Sequence, residues 1–270
     1  MKLVALHDKV EIEGFVRRNP FLHIYSLGDL DDFFWPGTVW YALKDGKEIK
    51  QILLMYVPLK LPSLQALTEE PEEMSDLLGA ASHLLPRRFY AHLSEGLANA
   101  LEDEYQVNRH GIFHKMALTE PSQLQTIDTS EVVSLTTADL PDLERLYSIS
   151  YPGNWFDRRM LETGQYYGMR RGAGLVGVAG VHVYSEKYRV AALGNVATHP
   201  DYRGRGIATT ICAKLCKSLL QKADHVGLNV KAENTYAIRA YERLGFKRIA
   251  TYEECTLSLP DTNHNINARP

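Results

Sequence analysis

The chain has 270 residues, of which 45% are hydrophobic and 23% charged, and its formal net charge is -3 at pH 7. Such a chain can bury one large core or two smaller ones, and its small net charge excludes an overall basic field that would hold it on nucleic acid or on an anionic membrane. Charge interrupts the N-terminal segment before a signal peptide forms, and no apolar run approaches membrane-spanning length, so we expect a cytoplasmic protein that binds neither membrane nor nucleic acid.

The N-terminal half predicts a small α/β domain over residues 1–125. Strands are expected at 39–43 and 51–57, the second closed by Pro58. A helix is expected over 72–85, because its apolar residues recur at helical spacing. These residues are Met74, Leu77, Leu78, Ala81 and Leu85. This half contains no nucleophile motif, phosphate loop or metal-ligand spacing, so its role stays open.

The polar segment 122–130, which follows Pro121, predicts a linker. Beyond it strands and helices alternate, a pattern typical of a sheet with helices packed on it. Strands are expected at 132–135, 166–171, 174–184, 190–198 and 226–230, with a final pair at 247–249 and 252–259. Helices are expected after Thr137 or Asp139, at 206–222 and at 234–244.

We therefore predict an α/β fold of the α+β type. Its C-terminal domain, over 130–260, has a mixed, mainly antiparallel sheet flanked by helices, because three strands follow one another closely enough to form an antiparallel meander. The smaller α/β domain precedes it. The segment 261–270 is predicted to be a disordered tail.

Three cysteines, Cys212, Cys216 and Cys255, are an odd number, which argues against a disulfide framework. Cys212 and Cys216 share a helix face and could form a metal or redox pair. Their neighbours on that face are apolar, namely Ile207, Ile211, Leu215 and Leu219. Core packing is therefore the favoured interpretation, and we predict no metal.

The clearest chemical signal is a glycine-containing turn that runs from the strand 190–198 into the helix 206–222. Helix N-termini expose amides and the positive end of the helix dipole, and glycines let an anion approach the backbone. Arg203 and Arg205 add positive charge, and Thr209 adds a hydroxyl. The lysine of a phosphate loop and the GxGxxG dinucleotide fingerprint are both missing. The pattern favours an anion site over a purely structural turn.

Together with a second motif, this turn resembles the GNAT superfamily of acyl-CoA-dependent N-acyltransferases, over about residues 132–259. The family loop pattern R/QxxGxG/A is matched by Arg203, Gly204, Arg205, Gly206, Ile207 and Ala208. The segment ENTYAIRAYERLGF matches the family spacing at Asn234, Ala237, Tyr241, Gly245 and Phe246. Two motifs in the right order, with a strand between them, are far more specific than either alone.

The resemblance implies that an acetyl-CoA, or another short acyl-CoA, is the co-substrate. Its pyrophosphate would bind the loop amides from Arg203 to Thr209, and its pantetheine arm would pair with the backbone of Val196, Ala197 and Thr198 like an added strand. Asn234, which could also simply cap its helix, would contact the cofactor.

Tyr241 is the expected general acid under the same resemblance. A phenol stays protonated at neutral pH and can donate a proton to the leaving thiolate. Without the motif, a tyrosine on an amphipathic helix is more often a core residue. Asn234 and Tyr241 are two helical turns apart and project from nearly the same face.

The general base is not assigned by the sequence. Candidates are His182, Glu186, His199 and Glu233, and Asn195 occupies a position where some relatives of the family place an acidic group. An aromatic segment that the resemblance places near the acceptor pocket contains Tyr151, Trp155, Phe156, Tyr166 and Tyr167. Core packing is an equal alternative for these rings.

We expect an enzyme that moves an acetyl or short acyl group to an amine, on a small molecule or a peptide, by direct attack. The alternative is a non-catalytic acyl-CoA sensor or regulatory module. The N-terminal half could itself be a degenerate acyltransferase-like unit, and a homodimer is left open.

Overall fold

The structure, a computed structural model, describes residues 1–260. The helices are α1 (Lys9–Val16), α2 (Ile24–Gly28), α3 (Pro71–Ala81), α4 (Leu140–Ser150), α5 (Ile207–Leu219) and α6 (Thr235–Arg243). The strands are β1 (Lys2–Leu6), β2 (Thr38–Asp45), β3 (Glu48–Tyr56), β4 (Ser63–Ala66), β5 (Arg88–Ser94), β6 (Gln106–Leu118), β7 (Val133–Ser134), β8 (Tyr167–Arg171), β9 (Gly174–Ser185), β10 (Val190–Thr198), β11 (His225–Lys231) and β12 (Phe246–Ser258).

The chain divides into two compact units that are not consecutive in sequence. Among the described residues, the first unit contains 1–8, 37–111 and 252–260, and the second contains 9–36 and 112–251. This division differs from the predicted one at 122–130. Residues 121–126 form a 3-10 helix with Leu124 buried, and the Ile127 carbonyl accepts a hydrogen bond from Lys217 Nζ at 2.9 Å.

The first unit has the strand order β1-β2-β3-β4-β5-β12. β4 and β5 are parallel and connected through α3, whereas the other strand pairs in this unit are antiparallel. Met74, Leu77, Leu78 and Ala81 are buried on one face of α3, as their helical spacing predicts. The crossover helix therefore covers the sheet through a single apolar face.

The second unit has the strand order β6-β11-β10-β9-β8-β7. β10 and β11 are parallel and connected through α5, and β8, β9 and β10 form the antiparallel meander that the sequence predicts. Gly177 of β9 allows α5 to pack closely, since a Cβ added there would lie 2.6 Å from Ile207 Cγ2. The mixed, mainly antiparallel sheet with flanking helices confirms the predicted fold class.

Two local predictions need correction. The expected final strand pair is one continuous strand, β12, because the segment from Lys247 to Leu259 has no glycine, proline or asparagine that would favour a turn. At the start of α4 the alternative Thr137 is wrong, whereas Asp139 is the N-cap residue, although its side chain makes no cap hydrogen bond to this helix. The side-chain caps belong to the preceding 3-10 helix 137–139, where Thr136 Oγ1 accepts from the Ala138 amide at 3.3 Å and Asp139 Oδ2 accepts from the Thr136 amide at 2.8 Å.

Several elements were not predicted from the sequence, among them β1, β4, β5, β6, α1 and α2. The described helices include none that is long and apolar enough to span a bilayer. The tail predicted at 261–270 lies outside the described residues.

Candidate functional site

The second unit contains a slot where two parallel strands separate. The registered pairs between β10 and β11 run from Val190–His225 to Leu193–Leu228, yet β10 continues to Thr198 and β11 to Lys231. Val196, Ala197 and Thr198 lie beyond the last of these registered pairs, and the pairing of β10 with β9 shifts register between Gly194 and Ala197. Backbone amides at such an opened edge can pair with the amides of an extended ligand.

The glycine turn follows this slot and leads into the N-terminus of α5. Gly204 and Gly206 both have a φ of +77°, and no heavy atom lies within 4 Å of a Cβ built on either. The left-handed backbone therefore favours glycine here, while the space in front of the turn is open. Gly206 is the N-cap of α5 and provides no side-chain cap, so the first-turn amides of Ile207, Ala208 and Thr209 are oriented to receive an anion.

Both arginines of the turn brace its backbone. Arg203 donates from Nε to the Thr198 carbonyl and from Nη2 to the Ser150 carbonyl, each at 3.2 Å. Arg205 donates to the Asp201 carbonyl at 3.0 Å and stacks on the Tyr202 ring at 5.2 Å. Their positive charge stays beside the helix N-terminus, where it strengthens the field of the helix dipole.

A cavity of about 290 Å³ lies next to this turn. Arg171, Tyr202, Arg205, Ile207 and Thr210 line it. Glu131, on the same wall, accepts a hydrogen bond from Arg171 at 2.8 Å. The cavity therefore combines cationic, aromatic and hydroxyl groups with the carboxylates of Asp128 and Glu131, at the same end of α5 as the open turn.

Tyr241 on α6 is 9% exposed. Burial raises the pKa of its phenol well above the ordinary value, and the nearby Cys212, Cys216, Tyr151 and Tyr25 add to the shift. The phenol is therefore protonated at neutral pH, the state that a general acid requires. Its ring packs against Phe246 at 5.9 Å, which is the core role; the catalytic role stays a prediction.

Asn234 is exposed at the start of α6. Its Oδ1 accepts from the Ala237 amide at 3.2 Å, which makes it the N-cap of the helix. The structure thus shows the capping role that the sequence offered as one alternative. The predicted cofactor contact stays a prediction.

A buried polar cluster beside the slot is organised by Asn195, and the sequence analysis did not predict it. Asn195 is 3% exposed and has a φ of +55°, in the left-handed region. Its Nδ2 donates to the Tyr166 hydroxyl at 3.0 Å, and its Oδ1 lies 3.3 Å from both Asn154 Nδ2 and His182 Nε2. A non-glycine residue at positive φ, held by this many hydrogen bonds, marks a position that the surrounding structure constrains.

Neighbouring aromatic residues complete this cluster. Tyr147 donates to the Asn195 carbonyl at 3.0 Å, and burial raises the pKa of both the Tyr147 and Tyr166 phenols. The Trp155 ring lies edge-on to His182 at 5.7 Å. Tyr166 is fully buried, whereas Trp155 and Tyr151 are partly exposed, so the predicted aromatic segment contributes both core and surface rings.

The other candidate bases are held by local polar contacts. Glu186 accepts from the Tyr184 hydroxyl at 2.9 Å and pairs with Lys222 at 3.2 Å. Glu233 pairs with Lys231 at 3.1 Å, and His199 Nδ1 accepts from the Asp201 amide at 3.3 Å. Of the four candidates, His182 is the one joined to Asn195 in the cluster beside the slot.

Cys212 and Cys216 are buried in the face of α5, as the packing interpretation predicts. Burial raises the pKa of the Cys212 thiol to about 12 and that of Cys216 well above its ordinary value. Both thiols are therefore protonated near neutral pH and behave as small apolar groups.

A family model described as the acetyltransferase (GNAT) family matches residues 132–246, which include the slot, the glycine turn and α6. These residues are therefore similar to that family. Among curated relatives, an uncharacterised protein of Mycobacterium leprae is 32% identical over 137 residues, covering 46% of this chain and 37% of that protein. An acetyltransferase of Sodalis glossinidius is 38% identical over 53 residues, covering 19% of this chain. This chain spans 37% of the length of either relative.

Solved structures resemble the chain beyond the residues that the family model matches. A GNAT-family acetyltransferase of Novosphingobium aromaticivorans is 24% identical with a TM-score of 0.57, covering 81% of this chain and 91% of that one. A Drosophila protein is 11% identical with a TM-score of 0.71, covering 96% and 99%. A tandem GNAT protein from the clavulanic acid biosynthesis pathway is 14% identical with a TM-score of 0.57, covering 94% and 97%. At these identities the likeness establishes the fold alone.

Proposed function

We propose that this chain transfers an acetyl or another short acyl group from acyl-CoA to an amine, by direct attack of the amine on the thioester. The observation that carries this proposal is the open slot between β10 and β11, which adjoins an uncapped helix N-terminus. A slot with unpaired strand backbone suits the amides of pantetheine, and the helix N-terminus suits a pyrophosphate. The match of residues 132–246 to the GNAT family model supports the same chemistry.

In this proposal, the amides from Arg203 to Thr209 hold the pyrophosphate, and Val196, Ala197 and Thr198 align the pantetheine arm. The reacting carbonyl then lies where the strands diverge, close to α6. Tyr241 gives its proton to the thiolate as the carbon–sulfur bond breaks. The raised pKa of its phenol keeps that proton in place until the thiolate, a stronger base than the thioester sulfur, develops.

The direct test measures coenzyme A release from acetyl-CoA across a panel of small amines, amino acids and peptide N-termini. We expect turnover with at least one acceptor. Tyr241→Phe should lower kcat by about 10²-fold, the usual scale for a general acid, while the Kd for acetyl-CoA measured by calorimetry stays unchanged.

Tyr236→Phe provides the matched control, since Tyr236 lies on the same helix and is 86% exposed. Its kcat should equal that of the wild type. Tight binding of acetyl-CoA without turnover of any acceptor would instead identify the chain as a binding or sensor module.

A further inference from the structure

The hydrogen bonds around Asn195 determine which way its amide points. Nδ2 donates to the Tyr166 hydroxyl, and that hydroxyl donates onward to the Val181 carbonyl at 3.3 Å. Oδ1 is then the acceptor for Asn154 Nδ2 and for His182 Nε2. Since a carbonyl oxygen can only accept, the histidine donates from Nε2.

This arrangement selects one tautomer of the His182 ring. With the hydrogen on Nε2, the lone pair of the neutral imidazole is on Nδ1, and that atom takes up a proton when the ring is charged. The His182 ring also packs directly on the backbone at Gly194, where an added Cβ would lie 2.2 Å from the ring. His182 is therefore oriented by a hydrogen bond, by the backbone of β10 and by the Trp155 ring.

The cluster lies beside the reacting end of the proposed cofactor site. Asn195 directly precedes the slot residues Val196 to Thr198 and is at the register shift where β10 leaves its regular pairing. Tyr147, on the last turn of α4, donates to the Asn195 carbonyl. Tyr151, the C-cap of the same helix, is one of the groups whose electrostatic interaction raises the pKa of the Tyr241 phenol. His182 is only partly buried, so solvent and an acceptor can reach this part of the cluster.

Among the side chains of the cluster, the imidazole of His182 is the group suited to accept a proton near neutral pH. Titratable groups of this cluster include the phenols of Tyr147 and Tyr166, which burial keeps protonated, and Asp157, whose charge acts on Tyr166 and which Arg159 binds. Asn154 and Asn195 are amides without acid–base function near neutral pH. An imidazole is the side chain whose ordinary titration range covers neutral pH.

We propose that His182 accepts the proton that the acceptor's ammonium group must lose before attack, and that Asn195 is the positioning residue that holds His182 in the required tautomer. This inference rests on the proposed function, because it requires an amine acceptor. The ammonium gives one proton to His182, and the freed lone pair attacks the thioester carbonyl. The carbon–nitrogen bond forms, the carbon–sulfur bond breaks, the thiolate takes the Tyr241 proton, and the second nitrogen proton restores the phenol.

The test compares pH profiles of kcat/KM for the acceptor in the full chain. His182→Gln should lose about 10²-fold at pH 7 and much less near pH 10, where the amine is deprotonated by solvent. Asn195→Asp places a carboxylate beside the ring, which favours the imidazolium, so the acid limb of the profile should move to higher pH. Gly194→Ala should lower kcat by displacing the ring. All three should bind acetyl-CoA with the wild-type Kd.

His83→Ala, an exposed histidine of the first unit, is the control and should match the wild type. Nitrogen-15 NMR of labelled histidine gives a readout independent of turnover: His182 should be the Nε2–H tautomer in the wild type, and its titration should shift upward in Asn195→Asp. Wild-type turnover with an unchanged profile in His182→Gln would overturn this inference alone. Absence of wild-type turnover with every amine would overturn the proposed function and this inference together.

Discussion

Three residues near the proposed cofactor site have a positive φ, which most residues with a side chain avoid. They are Gly204 and Gly206 in the glycine turn, and Asn195. At Gly204 and Gly206 a φ of +77° in open space shows that the requirement is conformational and not steric. Asn195 meets a similar requirement with a side chain that forms hydrogen bonds within its cluster. The turn thus keeps its surface free for a ligand, whereas the asparagine uses its side chain to organise the interior.

Gly206→Ala tests this distinction. The substitution should cost about 1 kcal/mol of unfolding free energy, because alanine in the left-handed region is strained, and it should also weaken acetyl-CoA binding by misaligning the first-turn amides. Gly46→Ala is the matched control, since Gly46 has a φ of +58° and open space in the first unit. Denaturant unfolding should show similar losses for both variants, and calorimetry should show weaker binding for Gly206→Ala alone. Equal affinities would contradict the role of the turn.

Asp29, at the end of α2, is a buried carboxyl whose contribution to stability depends on pH. Burial raises its pKa to about 8 from an unfolded value near 4. The folded state therefore binds the proton of the Asp29 carboxyl more tightly than the unfolded state does. The contribution of this group to the free energy of unfolding is greatest below about pH 4 and falls as the pH rises towards 8.

Asp29→Asn removes the ionisable group and should make the protein more stable than the wild type at pH 8, by up to several kcal/mol at about 1.4 kcal/mol per pKa unit. Near pH 4 the two proteins should unfold at nearly the same temperature. Thermal unfolding at pH 4, 6 and 8 checks this, with Asp103→Asn, an exposed site, as control. A pH-independent difference would show that the carboxyl is not the source.

At the scale of elements, the chain contains two strand–helix–strand crossovers with parallel strands, and they differ at the strand ends. β10 and β11 diverge, and α5 begins at the open glycine turn. In the first unit, Ser94 accepts from the Thr68 amide at 2.9 Å and donates to the Thr68 carbonyl at 3.1 Å, which ties the segments after β4 and β5 together. The first turn of α3 contains Glu72 and Glu73, which repel an anion where α5 attracts one.

Substitutions of Asn234, the N-cap of α6, distinguish a role in capping the helix from a role in binding the cofactor. Asn234→Ala removes the bond to the Ala237 amide and should cost about 1 kcal/mol. Asn234→Asp keeps a capping oxygen and should retain the melting temperature, but its negative charge should weaken acetyl-CoA binding if Asn234 faces the cofactor. Thr136→Ala, which removes another cap in this unit, should lower stability with no effect on binding. Wild-type affinity in Asn234→Asp would limit Asn234 to capping.

At the scale of the whole molecule, the two units share one strand topology, and in each unit the last strand comes from the other half of the sequence. The series β1-β2-β3-β4-α3-β5 has the same order and pairing as β7-β8-β9-β10-α5-β11. The last antiparallel partner comes from the other half of the sequence in each case: β12 pairs with β5, and β6 pairs with β11. This repeat supports the hypothesis that the N-terminal half is an acyltransferase-like unit without a cofactor slot of its own.

The whole chain should therefore bind one acyl-CoA. Calorimetric titration with acetyl-CoA should give a stoichiometry of one, since the first unit has tied strand ends and an acidic α3 N-terminus. Gly206→Ala should weaken that single site. Glu72→Gln, in the first unit, should leave both affinity and stoichiometry unchanged. A stoichiometry of two would show that the first unit retains a cofactor site.

The sequence by itself determined several of the local elements and both motifs. The meander, the buried faces of α3 and α5 and the glycine turn at the start of α5 follow from periodicity and turn chemistry, which act between residues close in the chain. The GNAT resemblance was readable for the same reason, because both motifs are contiguous.

Tertiary structure alone decided where β6 and β12 pair, how far β10 follows β11 and which side chains surround Asn195. Strand pairing joins residues more than a hundred positions apart, as in the Asn229–Lys115 register, and no local pattern encodes such a partner. The position of His182 in the cluster was also decided by tertiary structure. Its strand was predictable, but the amide that orients its ring belongs to the next strand, and the other members of that cluster come from α4, the loop after α4 and Tyr166, which directly precedes β8.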